Sequence, residues 1–400
     1  MNRFVRPCSL KDMKKMLTRI DVSSQGVGNM ARKAFALPIR LTSVELGAAN
    51  IIKQEMLTVG GDAAISRGIV EGIKKETDVI LLGTVDKIRK LAGKLSHYTT
   101  FGIPQIREDL ERLLDIYTAD FRYTLRCKRK ELELDRTKLT GILNVTPDSF
   151  SDGGEYVEPA KAVARALMMF EQGAEIIDIG GESSRPGASP INEEVEINRI
   201  IPVIEGIRAK TEEGFISVDT YKSQVARKAL EAGADMINDI SALRFDSKML
   251  DVLLQFPEAP IILMHMQGTP ENMQENPVYE DVVDDILDFF QEQIALCMDA
   301  GIQQERILID PGIGFGKTFK HNMEILRRLT EFHSLGVPVM IGASRKSFIN
   351  KIYQADPQER LSGSLAITAL AYEHKINLVR VHDVKEHHEL LLTLKEVCSE

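Results

Sequence analysis

From about residue 138 onward, short runs rich in Ile and Val alternate with longer stretches where apolar residues recur at helical spacing among Ala, Glu and Lys. Strands of a parallel sheet are covered on both faces and read as continuous apolar runs, so this alternation predicts repeated strand–helix units. Strands are predicted over 139–145, 176–180, 215–219, 236–240, 260–265, 307–310, 338–341 and 378–382. Helices are predicted over 159–172, 193–210, 222–231, 281–299, 322–332, 358–374 and 385–397. Pro159 opens the first helix and Gly233 follows the third, as the preferences of helix ends require. Eight units in roughly 260 residues fit an α/β fold of the (β/α)8 TIM barrel type. An open doubly wound sheet is the alternative, but no G-x-G-x-x-G follows the first strand to favour it.

The first 120 residues follow another pattern. Helices are predicted over 10–20, 44–56, 86–94 and 105–117, with apolar runs at 37–41 and 79–82, which reads as a smaller N-terminal α/β domain. Within it, Gly60-Gly61-Asp62-Ala63-Ala64 reads as a helix stop in preference to an anion-binding turn. The barrel domain then spans 121–400. Its first segment, 121–138, is strand-like on both sides of Lys128, Arg129 and Lys130, so a hairpin is expected to lead into the barrel.

The residues that end the strands are polar: Asn144, Asp178, Asp219, Asn238 with Asp239, His265, Asp310, and Arg380 with His382 and Asp383. In a parallel barrel these ends share one rim, where active sites of this fold are built. Asp and Asn also cap helices that follow strands, so any one alone is ambiguous. Together they cost desolvation unless they meet a ligand, each other or water, which points to a polar, hydrogen-bond-rich substrate.

Composition narrows the field. The 400 residues carry 50 Lys and Arg against 59 Asp and Glu, a net charge of −9, which argues against nucleic acid and membrane surfaces as partners. With 44% hydrophobic and 27% charged residues, the chain is that of an ordinary globular protein and not a disordered one. Cys8, Cys127, Cys297 and Cys398 are scattered and form no C-x-x-C, so a cytoplasmic setting is expected. Charges interrupt the first 20 residues, and no apolar run approaches the ~18 residues of a membrane span.

Loop chemistry adds detail. The stretch 144–154 is rich in Gly, Ser and Asp and carries Phe150, a composition suited to a lid. Arg185 with neighbouring hydroxyls follows Gly180-Gly181 and is able to meet an oxyanion. Gly312-Ile313-Gly314-Phe315-Gly316-Lys317 resembles a phosphate cradle, but Gly312 stands at the wrong distance from Gly316 for a P-loop. Ser344-Arg345-Lys346-Ser347 opens toward a helix, where a carboxylate or phosphate could sit. Arg380 and His382, at i and i+2, project to the same side of the last strand and could share one anion. His265 lacks a second histidine at metal-ligand spacing and sits between methionines, which suggests packing. No G-x-S-x-G elbow occurs.

These segments, Gly141 through Gly154, Asp178 through Gly187, Asp310 through Lys317, Ser344 through Lys346 and Arg380 through Asp383, together resemble the dihydropteroate synthase family of pterin-binding enzymes across 121–400. The resemblance implies condensation of 6-hydroxymethyl-7,8-dihydropterin diphosphate with 4-aminobenzoate by an SN1-like course, with Mg2+ as cofactor and a homodimeric assembly. It implies that Asp310 and Asn238 bind the aminopyrimidinone edge, Lys346 covers the ring, and Asp219 stabilises positive charge on the pterin. Asn144 would reach Mg2+ and the diphosphate, and Arg380 with His382 would hold the diphosphate oxygens. Ser184 and Arg185 would close over the site. Phe150, Pro186, Phe315 and Ser347 would shape the aminobenzoate slot. Ser184 stands where the family commonly has Thr, a loss of one methyl with the hydroxyl kept. Two rivals stay open: a corrinoid-dependent methyltransferase barrel, which has no diphosphate to stabilise, and a non-catalytic pterin-binding paralogue. The ordinary synthase lacks residues 1–120.

Overall fold

The computed structural model describes residues 5, 9–70, 73–128, 130–146, 157–183 and 187–398. The chain divides into two compact units, Met1–Asp120 with Cys398–Glu400, and Phe121–Val397. The first unit holds a three-stranded antiparallel sheet of β1 (Ile39–Glu45), β2 (Asp62–Ile65) and β3 (Glu76–Leu82), in the order β1-β3-β2. One face of the sheet, with Ile39, Leu41, Val79 and Leu81, packs on Ile52, Met56, Leu91 and Leu110 from the helices. The 60–64 segment does more than stop a helix. Gly60 takes a φ of 77° just beyond the helix Leu46–Thr58, and the chain then runs directly into edge strand β2.

The second unit opens with the expected hairpin, β4 (Tyr123–Cys127) and β5 (Lys130–Leu134). Eight parallel strands follow: β6 (Lys138–Asn144), β7 (Ile176–Gly180), β8 (Phe215–Asp219), β9 (Met236–Asp239), β10 (Ile261–Met264), β11 (Ile307–Asp310), β12 (Met340–Ile341) and β13 (Leu378–Val381). Their order is β11-β10-β9-β8-β7-β6-β13-β12, and a parallel bridge between Ile309 and Val339 links the two ends, so the sheet closes as a TIM barrel. The observed strands follow the predicted ones within two residues at each end, β12 being the shortest. The helix predicted over 322–332 begins earlier, at Phe319, because Thr318 and His321 cap each other's backbone; it continues after Arg327 as a 3-10 segment, Leu329–Leu335. A helix at Lys248–Gln255 was not expected; eight residues are too few for a clear periodic signal.

Strand alternation sorts the barrel interior into layers. Ile176, Phe215, Met236, Ile262, Leu308, Met340 and Leu378 point inward near the strands' N-terminal ends, where they pack on Leu125, Cys127 and Leu134 of the hairpin. The hairpin is therefore a plug for the barrel floor. Two residues further along the same strands, hence on the same face, stand Asp178, Ser217, Asn238, Asp310 and Arg380. The interior changes from apolar to polar within one side-chain layer.

The plug is fastened by a buried carboxylate. Asp235 accepts from Lys130 Nζ at 3.1 and 3.2 Å and from the Ile216 backbone N–H at 2.8 Å, and it pairs with Arg208. Cys127 Sγ donates to the Asp235 carbonyl at 3.1 Å. Asp235→Ala leaves two cations near the barrel floor without their anion, so a loss of about 3–5 kcal/mol of barrel stability is expected. Urea unfolding of the variant against the parent measures it; a change under about 1 kcal/mol, the scale of a surface pair, would contradict the fastening role.

Candidate active site

The mouth of the barrel is organised around one guanidinium. Arg380 projects inward from β13, donating from Nε to Asp178 Oδ2 at 2.6 Å and from Nη2 to Asp219 Oδ2 at 2.8 Å. Asp178 is fully buried, and the same Oδ2 accepts from Asn238 Nδ2 at 3.0 Å. Asp178 Oδ1 and Asn238 Oδ1 are buried acceptors with no protein partner. Burial opposes the charge on Arg380, but the two carboxylates outweigh it and hold its pKa above the ordinary value. Burial pushes the Asp219 carboxyl up to about 7, with the neighbouring Asp178 adding to the shift and Arg380 restraining it.

Two glycines leave room between these side chains. A Cβ on Gly180 would stand 3.6 Å from Asn144 Oδ1 and 3.7 Å from Asp219 Cβ, and one on Gly342 would stand 3.7 Å from Asp310 Oδ2 and 3.8 Å from Arg380 Cβ. Asn144 and Asp219 thus border one bare strand end, and Asp310 and Arg380 another. Asp310 Oδ1 accepts from the Gly312 N–H at 2.7 Å, while Oδ2 is the oxygen beside Gly342. Burial raises the Asp310 pKa, and Lys346 opposes the rise.

Lys346 comes from the loop after β12. Its Nζ donates to the Ile313 carbonyl and stands 4.1 Å from the centroid of the Phe315 ring. Burial lowers its pKa to about 7, with Asp310 resisting. The preceding Arg345 has a φ of 58°, an uncommon backbone for a non-glycine residue, and is held from three sides. Its guanidinium pairs with Asp383, its N–H donates to Ser364 Oγ at 3.0 Å, and its carbonyl accepts from Arg360 at 3.0 Å. Ser344 Oγ meets His382 Nδ1 at 3.1 Å, which joins the β12 and β13 loops a second time.

The glycine-rich loop after β11 is held by a strut the sequence did not suggest. Lys317 is buried and its Nζ contacts His265 Nδ1 at 2.9 Å, the His265 carbonyl at 3.2 Å and the Phe315 carbonyl at 2.9 Å. Burial drives both pKa values well below normal; the neighbouring Lys317 charge lowers that of His265 further, and Asp310 resists the fall of Lys317. A Cβ at Gly312, where φ is 68°, would lie 2.0 Å from the His265 carbonyl oxygen, so only glycine permits this approach. On the opposite side of the mouth, Lys222 Nζ reaches Glu182 at 2.5 Å and Glu196 at 2.7 Å, bracing the base of the loop after β7.

The structure thus brings Asn144, Asp219, Asn238, Asp310, Phe315, Lys346, Arg380 and His382 to the strands' C-terminal end of the barrel. Ser347 is exposed and begins the short helix Ser347–Asn350. Phe150, Ser184, Arg185 and Pro186 lie outside the described residues. Two strand-end residues are diverted from the mouth's chemistry. Asp239 spends both oxygens on its own loop, accepting from Ser241 N and Oγ and from Leu243 N, and His265 serves the Lys317 strut. Asp178 stood among the strand ends with no role of its own; its buried, doubly used oxygen is what the geometry adds.

A family model described as pterin binding enzyme matches residues 140–382, well over half of the chain. The chain belongs to the pterin-binding enzyme family. It is 47% identical over 268 residues to the dihydropteroate synthase of Escherichia coli K12, an alignment covering 67% of this chain and 94% of that one. Among solved structures, Xanthomonas albilineans dihydropteroate synthase with 4-aminobenzoic acid superposes with a TM-score of 0.66 at 43% identity, covering 70% of this chain and 99% of that one. A probable bifunctional folylpolyglutamate synthase/dihydropteroate synthase of Halobacterium salinarum is 40% identical over 379 residues, 95% of this chain and 45% of that longer protein. That alignment is too long for the barrel alone and includes residues of the N-terminal unit.

A lysine whose charged form is penalised in the fold weakens the fold. The unfolded chain binds the Lys346 proton up to its ordinary pKa of 10.5 and the folded chain only up to about 7, so stability rises with pH across that window. Lys346→Met is therefore expected to raise Tm by a few degrees at pH 7, a gain that shrinks toward pH 10. Calorimetry at the two pH values measures it, and a lower Tm at pH 7 would contradict the burial penalty.

Proposed function

We infer that the protein is a dihydropteroate synthase, joining 6-hydroxymethyl-7,8-dihydropterin diphosphate to 4-aminobenzoate with release of pyrophosphate on the route to folate. The observation that carries this reading is one barrel mouth where buried acceptors able to grip a flat, donor-rich heterocycle stand beside a guanidinium able to grip an anion. The likeness to dihydropteroate synthases at 47% and 43% identity supports it from outside the geometry.

The division of labour follows the chemistry of each group. Asp310 Oδ2 and Asn238 take the aminopyrimidinone edge, a carboxylate being suited to paired N–H donors. Lys346, held over Phe315, covers the ring. Asp219 faces the pterin where positive charge grows if the C–O bond breaks ahead of amine attack, the SN1-like course. Arg380 and His382 receive the oxygens of the leaving diphosphate. By family likeness the aminobenzoate slot is assigned to Phe315 and Ser347 together with Phe150, Ser184, Arg185 and Pro186, which lie outside the described residues.

The described residues hold no cluster of three acidic, His or Cys side chains fit to bind a metal unaided. Asn144 offers one amide oxygen at the end of β6, which suits Mg2+, an ion that keeps several waters and is held largely through substrate phosphates. When bound, Mg2+ neutralises charge on the departing diphosphate. No helix among the described residues is long and apolar enough to cross a membrane. The family likeness extends this reading to a cytoplasmic homodimer.

Incubation with the pterin diphosphate, 4-aminobenzoate and Mg2+ is expected to yield dihydropteroate; absence of product with intact substrates would overturn the assignment. Sulfonamides, shaped like aminobenzoate, are expected to inhibit competitively against it, and noncompetitive inhibition would remove the slot residues from their role. Arg380→Ala is expected to lower kcat by about 10²–10³-fold, as loss of a transition-state donor does, whereas Asp310→Ala mainly raises the KM for the pterin. Steady-state kinetics of the two variants separate these roles; identical profiles would contradict them.

A further inference from the structure

A single carboxylate oxygen ties together groups that serve different parts of the substrate. Asp178 Oδ2 holds Asn238 Nδ2 at 3.0 Å and Arg380 Nε at 2.6 Å, and the other end of the same guanidinium reaches Asp219 at 2.8 Å. Asp178 is fully buried inside β7, one strand away from β8 and Asp219. We propose that Asp178 is a positioning residue that couples the ring-binding and diphosphate-binding halves of the mouth, fixing Asn238 and dividing the Arg380 charge between itself and Asp219. The proposal rests on the synthase reading and adds a residue to it.

Division of one cation between two anions has an electrostatic consequence. The charges that act on Asp219 are those of Arg380 on β13, Asp178 on β7, Asp239 at the end of β9, Glu196 on the helix Glu193–Arg208, and Lys346 on the β12 loop. Asp178→Asn keeps the side-chain shape and an acceptor oxygen but removes one repelling charge, which leaves Asp219 as the one carboxylate paired with the guanidinium. Asp219 then ionises at lower pH. Arg380→Lys acts in the opposite direction, because an ammonium lacks the planar fork that spans two carboxylates.

The test is the pH profile of kcat/KM for the pterin diphosphate in the full chain, with the acidic limb assigned by its disappearance in Asp219→Asn. In Asp178→Asn the limb is expected to move down by on the order of one pH unit, and in Arg380→Lys to move up. Calorimetric binding of 6-hydroxymethylpterin, a ring probe without diphosphate, is expected to weaken about tenfold in Asp178→Ala, where Asn238 loses its acceptor. A folded Asp178→Ala with the parent's ring affinity, or a folded Asp178→Asn with the parent's limb, overturns the proposal. If that variant does not fold, an unmoved limb in Arg380→Lys overturns it. A parent chain making no dihydropteroate would defeat the synthase reading itself, a separate result.

Discussion

A charge inside a protein persists only when opposite charge and hydrogen bonds surround it. The upper interior of this barrel holds Asp178, Asp219 and Asp310 against Arg380 and Lys346, and none of these groups is tolerable there alone. Arg380 is the pivot because its planar fork satisfies two strands at once, with Nε on β7 and Nη2 on β8. Any substrate must enter a site whose charged groups already hold one another in place.

The layer beneath makes that balance possible. The apolar floor and the hairpin plug exclude water from below, so the polar layer exchanges with solvent only through the mouth. The Asp235 network fastens the plug at the opposite end of the strands from the chemistry. Mutual constraint recurs in the loops. The Arg345–Asp383 pair and the Ser344–His382 contact lock the β12 and β13 loops to each other, and Lys317 locks the β11 loop to the end of β10. Lys346 is thereby held on Ile313 and Phe315 by backbone placed from two directions.

The barrel was legible because buried parallel strands write themselves as Ile- and Val-rich runs, and the mouth because those runs end in Asp, Asn, Arg and His. Legibility stopped at direction and partnership. Asp178 and Asp239 give the same signal, an acid at a strand's C-terminal end, yet parity separates them. Asp178 lies two residues after the inward Ile176, whereas Asp239 lies one after the inward Asn238, so the first faces the interior and the second turns into its own loop. Reading alternation from the floor upward would have found this. Lys317 had no such signal, since a lysine after a glycine-rich loop ordinarily meets solvent, and only the near approach of Gly312 to His265 explains its burial. In the N-terminal unit, strand β2 has two central alanines and follows two glycines, a composition that reads as a turn.

The same Coulomb relation that stabilises the mouth makes it responsive to what enters. An anion that draws on the Arg380 guanidinium reduces the screening of Asp178 and Asp219, and the negative potential inside the mouth rises. Under the proposed reaction, stabilising a cation forming on the ring and withdrawing charge toward the leaving diphosphate become one electrostatic event, seen from the two ends of a single guanidinium. On that proposal ring-binding and anion-binding residues do not separate completely, because the buried Asp178 Oδ2 accepts from both Asn238 and Arg380.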